Sequence, residues 1–151
     1  NRKAQEVLAD KMSLGGAGCE IFVERQLSSL TMSEPGAKIP DGAFRDSSGA
    51  MTYIEIERSK KKQPELESML LALARLIEDK PNAKVEIYIE PHLHDRYKST
   101  LGGWLASGKF RAWSKSTAGE LFQQGIYQST ATLANAMRRI SFIPCVIGPH
   151  T

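Results

Sequence analysis

Apolar positions change rhythm several times along this chain, and each change marks an expected element. Ala4, Val7, Leu8, Met12 and Leu14 recur at helical spacing, so Arg2 to Leu14 reads as a helix that Gly15-Gly16 stops. From Cys19 to Leu27 the rhythm loosens to alternation, with Ile21 and Val23 on one side, which predicts a first strand. A loop through Thr31 to Lys38, with Pro35-Gly36, leads to two apolar runs, PDGAF and MTYIEIER, around the polar turn Asp46-Ser47-Ser48-Gly49. That pattern is a hairpin. Leu66, Met69, Leu70, Leu73, Leu76 and Ile77 then form the clearest amphipathic stripe, opened by Gln63-Pro64-Glu65 and ended by Lys80-Pro81-Asn82. Lys84 to Glu90 alternates as a further strand through Val85, Ile87 and Ile89. Pro91 to Gly108 reads as helical in part, weakened by Gly102-Gly103, and Lys109 to Ser116 as a short strand. Leu121, Ile126, Leu133, Ala136 and Met137 give Gly119 to Arg139 helical spacing, before an apolar run from Phe142 to Ile147 that Pro144 interrupts.

This succession predicts an α/β three-layer sandwich, a central mixed sheet between helices, with a C-terminal helical addition. A length of 151 residues fits one domain, read as a core over 1–116 and an extension over 117–151 packed on it. Hydrophobic residues at 41% and charged ones at 25% are the balance of a folded globular chain. No apolar run reaches membrane-spanning length and no signal-peptide pattern opens the chain, so a cytoplasmic placement is expected. The start at Asn1 suggests a piece of a larger protein. Cys19 and Cys145 have no metal-ligand spacing and read as buried free thiols. A net charge of +3 and a pI near 8.9 permit nucleic-acid binding without requiring it. The glycine group LGGAG matches no phosphate loop, and no nucleophile elbow is present.

Candidate chemistry concentrates between Lys38 and Lys62. In an extended strand Tyr53, Glu55, Glu57 and Ser59 share one face, while Ile54, Ile56 and Arg58 share the other. If the isoleucines anchor the strand, both acids project together and Asp41 on the neighbouring strand converges on them. Three such carboxylates suit magnesium or manganese. Alternation alone favours a solvated edge strand; adding Pro40-Asp41, the turn and the following helix turns the balance to a site.

The order Pro-Asp, 13 intervening residues, Glu-x-Glu, a lysine cluster and an amphipathic helix resembles the PD-(D/E)xK nuclease superfamily. Pro40, Asp41, Glu55, Glu57 and Lys60 to Lys62 carry that resemblance. It implies a restriction-endonuclease-like core that hydrolyses DNA with Mg2+ or Mn2+. Asp41 and Glu55 would be metal ligands, Glu57 a ligand or general base, and Lys60 or Lys61 the electrostatic partner of the scissile phosphate. The family pattern has Lys where this chain has Glu57. The resemblance therefore also implies a second possibility, a catalytically degenerate module that binds DNA or protein partners. PDGAF followed by YIEIERS is similar to nuclease-fold domains of plasmid mobilisation and replication-relaxation proteins, and the degenerate module would serve in plasmid mobilisation, replication or phage DNA processing.

Lys60, Lys61 and Lys62 are the first candidates for phosphate contact. Arg96, Lys98, Lys109, Arg111 and Lys115, interleaved with Tyr97, Trp104 and Trp113, fit a phosphate-tracking surface with aromatic platforms; tryptophans in the core and cations on the surface fit equally. His92 and His94 share a face only in extended chain, and Pro91 marks a helix start, so exposed histidines are expected over zinc ligands. Glu6 and Glu24 are possible additional ligands but read better as surface charge, and Arg138-Arg139 suits a helix C-terminus.

Overall fold

The computed structural model describes residues 1–31 and 40–148, and the backbone alone for residues 28–31. A helix α1 (Arg2–Gly15) opens the chain; the Asn1 side chain accepts from Ala4 N at 3.1 Å and caps it, and Gly16 at φ 73° ends it. Strand β1 (Glu20–Val23) is followed by helix α2 (Glu24–Thr31). The single long strand expected over Cys19 to Leu27 is thus corrected. Pairing stops at Val23 opposite Gly42, where the partner strand begins, and Val23 N donates to the Gln26 side chain at 2.8 Å across the strand-to-helix junction. Past Thr31, the loop expected up to Lys38 lies outside the described residues.

The hairpin forms as expected, from β2 (Gly42–Arg45) and β3 (Met51–Glu57). Asp46 fixes its turn by accepting from Ser48 N at 2.9 Å and Ala50 N at 3.1 Å, and Gly49 supplies φ 92°. Helix α3 (Gln63–Ile77) crosses to β4 (Lys84–Ile89), parallel to β3. Helix α4 (Pro91–Ser107) is continuous through Gly102-Gly103 and closes on Gly108 in the left-handed conformation.

The C-terminal part departs from expectation. Leu121–Gln128 is not helical but a strand, β6, paired antiparallel with β5 (Lys109–Lys115) as a separate two-stranded sheet. Only Thr130 onward continues the helical reading, as α5 (Ala131–Arg138), capped by Thr130 at Leu133 N. β7 (Ile140–Pro144) then joins the main sheet parallel to β4. A division between 116 and 117 therefore falls in the β5–β6 turn, and the last strand belongs to the central sheet. The helical spacing over 121–126 rests on two residues, too few to exclude alternation.

The main sheet has the order β1-β2-β3-β4-β7 and is mixed. Its larger core lies where Tyr53, Val85, Ile87, Ile89 and Ile140 meet α3, α4 and α5. On the opposite face Phe44 and Ile54 meet Val7 and Leu8 of α1. These are the three layers the sequence predicts. Gly42 permits that contact, because a Cβ there would lie 2.8 Å from Leu8 Cδ1. Lying between β2 and β4, β3 is a central strand rather than an edge, and both of its faces are covered. Among the described residues no helix is long and apolar enough to cross a membrane.

Candidate functional site

Two acids of β3 are almost fully buried, Glu55 at 3% and Glu57 at 4% relative exposure. They pair in register with Ile87 and Ile89, so they lie on the larger core face, beneath helices rather than on a solvated one. Both faces being covered explains the difference from simple alternation. Pro40 is buried, and Asp41 stands just before β2. Asp41 N donates to Ile54 O at 3.0 Å, and its Oδ2 accepts from Ile56 N at 2.7 Å. Asp41 thus extends the ladder along β3, its backbone and side-chain hydrogen bonds falling on either side of Glu55. Asp41, Glu55 and Glu57 lie toward the carboxyl end of β3, the end that leads to α3 and the usual place for a ligand site in an α/β sheet.

The chain leaving β3 is pinned from α4. The Tyr97 hydroxyl donates to Ser59 O and accepts from Lys61 N, each at 3.3 Å. Arg96 donates to Lys61 O at 2.6 Å and to Gln63 Oε1 at 3.1 Å. Lys61 Nζ is thereby set 3.6 Å from Glu57 Oε2, and Lys60 and Lys62 are exposed beside it. Burial, then the nearby Glu57 charge, pushes the Tyr97 hydroxyl up to about 12. It stays protonated across the physiological range.

Among the described residues no three His, Cys, Asp or Glu side chains are grouped to hold a metal ion. Asp41, just before β2, is bonded to Ile54 O and Ile56 N, on either side of Glu55. Glu57 faces an ammonium.

The other cations divide. Lys98, Lys109 and Lys115 are exposed. Arg111 forks onto Glu67 of α3, Nε to Oε1 at 3.0 Å and Nη2 to Oε2 at 2.5 Å, while Trp113 Nε1 donates to the same Oε1 at 3.1 Å. Burial would raise the Glu67 carboxyl, but hydrogen bonds from Arg111, Trp113 and Gln63 together hold it below its ordinary range. Tyr97 at 0% and Trp104 at 7% exposure are core residues and give no stacking platform. His94 pairs with the neighbouring Asp95 at 3.0 Å, and His92, two residues before it in the first turn of α4, is exposed. Glu6 pairs with Arg2 and Lys3 on the surface of α1, and Glu24 is exposed in the first turn of α2. Cys19 and Cys145 are free thiols, half-buried rather than buried.

One contributor escaped sequence reasoning, and three others hold roles that the sequence did not assign them. Glu67 sits inside the apolar stripe of α3, next to Leu66 and three before Leu70, and an acid there signals a buried partner. Tyr97 was read as part of an aromatic platform, Gln63 as a helix start and Arg139 as a helix C-terminus; the first pins the lysine run, the second bonds Arg96 and Thr100, and the third caps α5. Arg139 ties α5 to the end of α3, donating to Ile77 O at 3.1 Å, Lys80 O at 2.9 Å and Ala83 O.

No family model and no curated protein matches the chain. Among solved structures it is similar to SfsA of Pyrococcus furiosus, determined in complex with Ca2+, at 14% identity and a TM-score of 0.40. That similarity covers 85% of this chain and 63% of SfsA, so the chain spans less than two thirds of that protein.

Proposed function

We propose that this chain is a nuclease-fold domain that acts on DNA by phosphodiester hydrolysis. One observation carries the proposal: buried Glu55 and Glu57, with Asp41 bound to the same strand, stand at the sheet end from which an exposed lysine run emerges. Buried acids at a strand end are costly to keep unless they are paired or used. Asp41 and Glu55 are the residues to hold Mg2+ or Mn2+, which would lower the pKa of a bound water and take up charge on the phosphoryl oxygens. Glu57 accepts the proton of the attacking water once Lys61 turns from it to the scissile phosphate. Lys60 and Lys62 hold flanking phosphates, and exposed Lys98, Lys109 and Lys115 extend that surface. Arg96 and Tyr97 act indirectly, by fixing the backbone that presents the lysines.

A specific observation favours a second reading. Lys61 is tied to Glu57, the acid that stands where the nuclease pattern has lysine. A module with that pair locked binds DNA without turnover, as a part of a larger DNA-processing protein or complex. The deciding experiment is cleavage of supercoiled, linear and single-stranded DNA with manganese, wild type against Asp41→Asn. Asparagine keeps an acceptor for Ile56 N, so the fold should survive. Cleavage lost in the variant supports hydrolysis at this site, and cleavage unchanged removes the assignment. A folded wild type that binds DNA in a salt-dependent way without cutting it selects the second reading.

A further inference from the structure

We infer that the cleft between α3, α4 and the β5–β6 hairpin receives an unpaired nucleotide of a nucleic-acid strand, an inference that rests on the DNA binding proposed above. The cleft is a shallow, open one of about 350 Å³. Its polar wall continues the candidate site. Gln63 Nε2 donates to Thr100 Oγ1 at 3.1 Å, and Gln63 Oε1 accepts from the Arg96 that holds Lys61 O. A strand whose phosphates lie on Lys60 to Lys62 therefore reaches this wall next. Across the cleft stands Ile126, among the most exposed large apolar side chains of the described residues, above the buried Phe110. An apolar wall facing amide and hydroxyl groups suits the flat, hydrogen-bonding shape of a base. Glu67 already counters Arg111, and exposed Lys109 adds positive charge for a phosphate.

The second observation is independent of the lining chemistry. Gly102 and Gly103 sit inside α4, where glycine weakens a helix. Neither has a positive φ, and nothing lies within 4 Å of a Cβ built on either. Conformation and internal packing leave the pair unexplained. Gly103 lines the cleft, so the bare helix surface there is room for a ligand to approach the backbone.

The test is fluorescence anisotropy of a short labelled thymidine oligonucleotide and of a labelled duplex, on the full chain, in chelator to prevent cleavage. Gly103→Ala should raise the thermal midpoint yet weaken single-strand binding at least fivefold, with duplex affinity within twofold of wild type. Ile126→Glu, on an exposed side chain, should weaken the same binding without lowering the midpoint. Unchanged single-strand affinity in both variants overturns the cleft assignment. Wild type that binds duplex but no single strand also overturns it, while leaving the nuclease-fold proposal standing. Wild type that binds neither, even at low salt, overturns both.

Discussion

Glu57 and Glu67 are buried to almost the same depth, 4% and 2% exposed, yet they are held in different ways. Glu67 receives a two-pronged guanidinium and an indole N–H, three directed hydrogen bonds that fix every part of its carboxylate. Glu57 faces a lysine ammonium at 3.6 Å, a point charge on a flexible stem that itself is partly exposed. The first arrangement clamps the β5–β6 hairpin to α3. The second includes an ammonium that has no fixed direction of approach. Burial alone therefore does not tell how an acid is held; the geometry of its partners does.

The sharpest way to break that comparison is to remove the structural acid. Glu67→Ala leaves Arg111 and Trp113 without their acceptor and should destabilise the fold by about 3 kcal/mol, with cleavage by the remaining folded fraction unchanged. Denaturant unfolding beside a cleavage assay checks both halves. Next comes Asp41→Asn, for which we expect about a 100-fold loss of turnover, roughly 2.7 kcal/mol of transition-state stabilisation, and a change in stability below about 1 kcal/mol. If stability falls and turnover does not, the acid is structural like Glu67. Replacing Lys60, Lys61 and Lys62 together by Ala should weaken duplex binding and reduce the slope of log affinity against log salt by about 2 to 3, since each phosphate that a lysine neutralises adds about 0.9 to it. An unchanged slope removes the lysine run from the interface.

Tyr97→Phe deletes the hydroxyl that bridges Ser59 and Lys61 and should cost about 1 kcal/mol. It should loosen the lysine run without touching an acid, so a loss of turnover beyond the loss of fold would show that loop position matters. The smallest effect is on acid stability. Glu67 is held below its ordinary value of 4.5 in the folded state, so the unfolded chain takes up the proton first as pH falls. Its contribution is complete above about pH 4.5 and declines as pH drops through the folded-state value. Glu67→Gln should flatten the midpoint-against-pH curve in that acid range, and an unaltered curve would assign acid sensitivity elsewhere.

Local patterns were legible where one short range of residues decides the outcome. The helix stripe from Leu66 to Ile77 and the Asp46–Gly49 turn follow from spacing and turn chemistry. So does the placement of Asp41 against the strand of Glu55, because a hairpin brings its two arms together. The misread segments are those whose own apolar spacing was too sparse or too loose to show which residues pair. Residues 24–27 wind into α2 because pairing with β2 ends at Val23 opposite Gly42, and 121–128 extend because the preceding strand β5 offers a ladder across a short turn.

The sequence by itself determined the alternation of strand and helix, the acids on one side of β3 and the lysines after them, because these depend on neighbours within a few residues. Tertiary structure decided what those groups meet. Helices on both faces turned Glu55 and Glu57 from a surface pair into buried acids, and α4 supplied Tyr97 and Arg96 to position Lys61. Arg111 and Trp113 were drawn from a DNA-facing pattern onto Glu67, 44 and 46 residues away. Burial and ion pairing are set by distances through space, and chain periodicity carries no record of them.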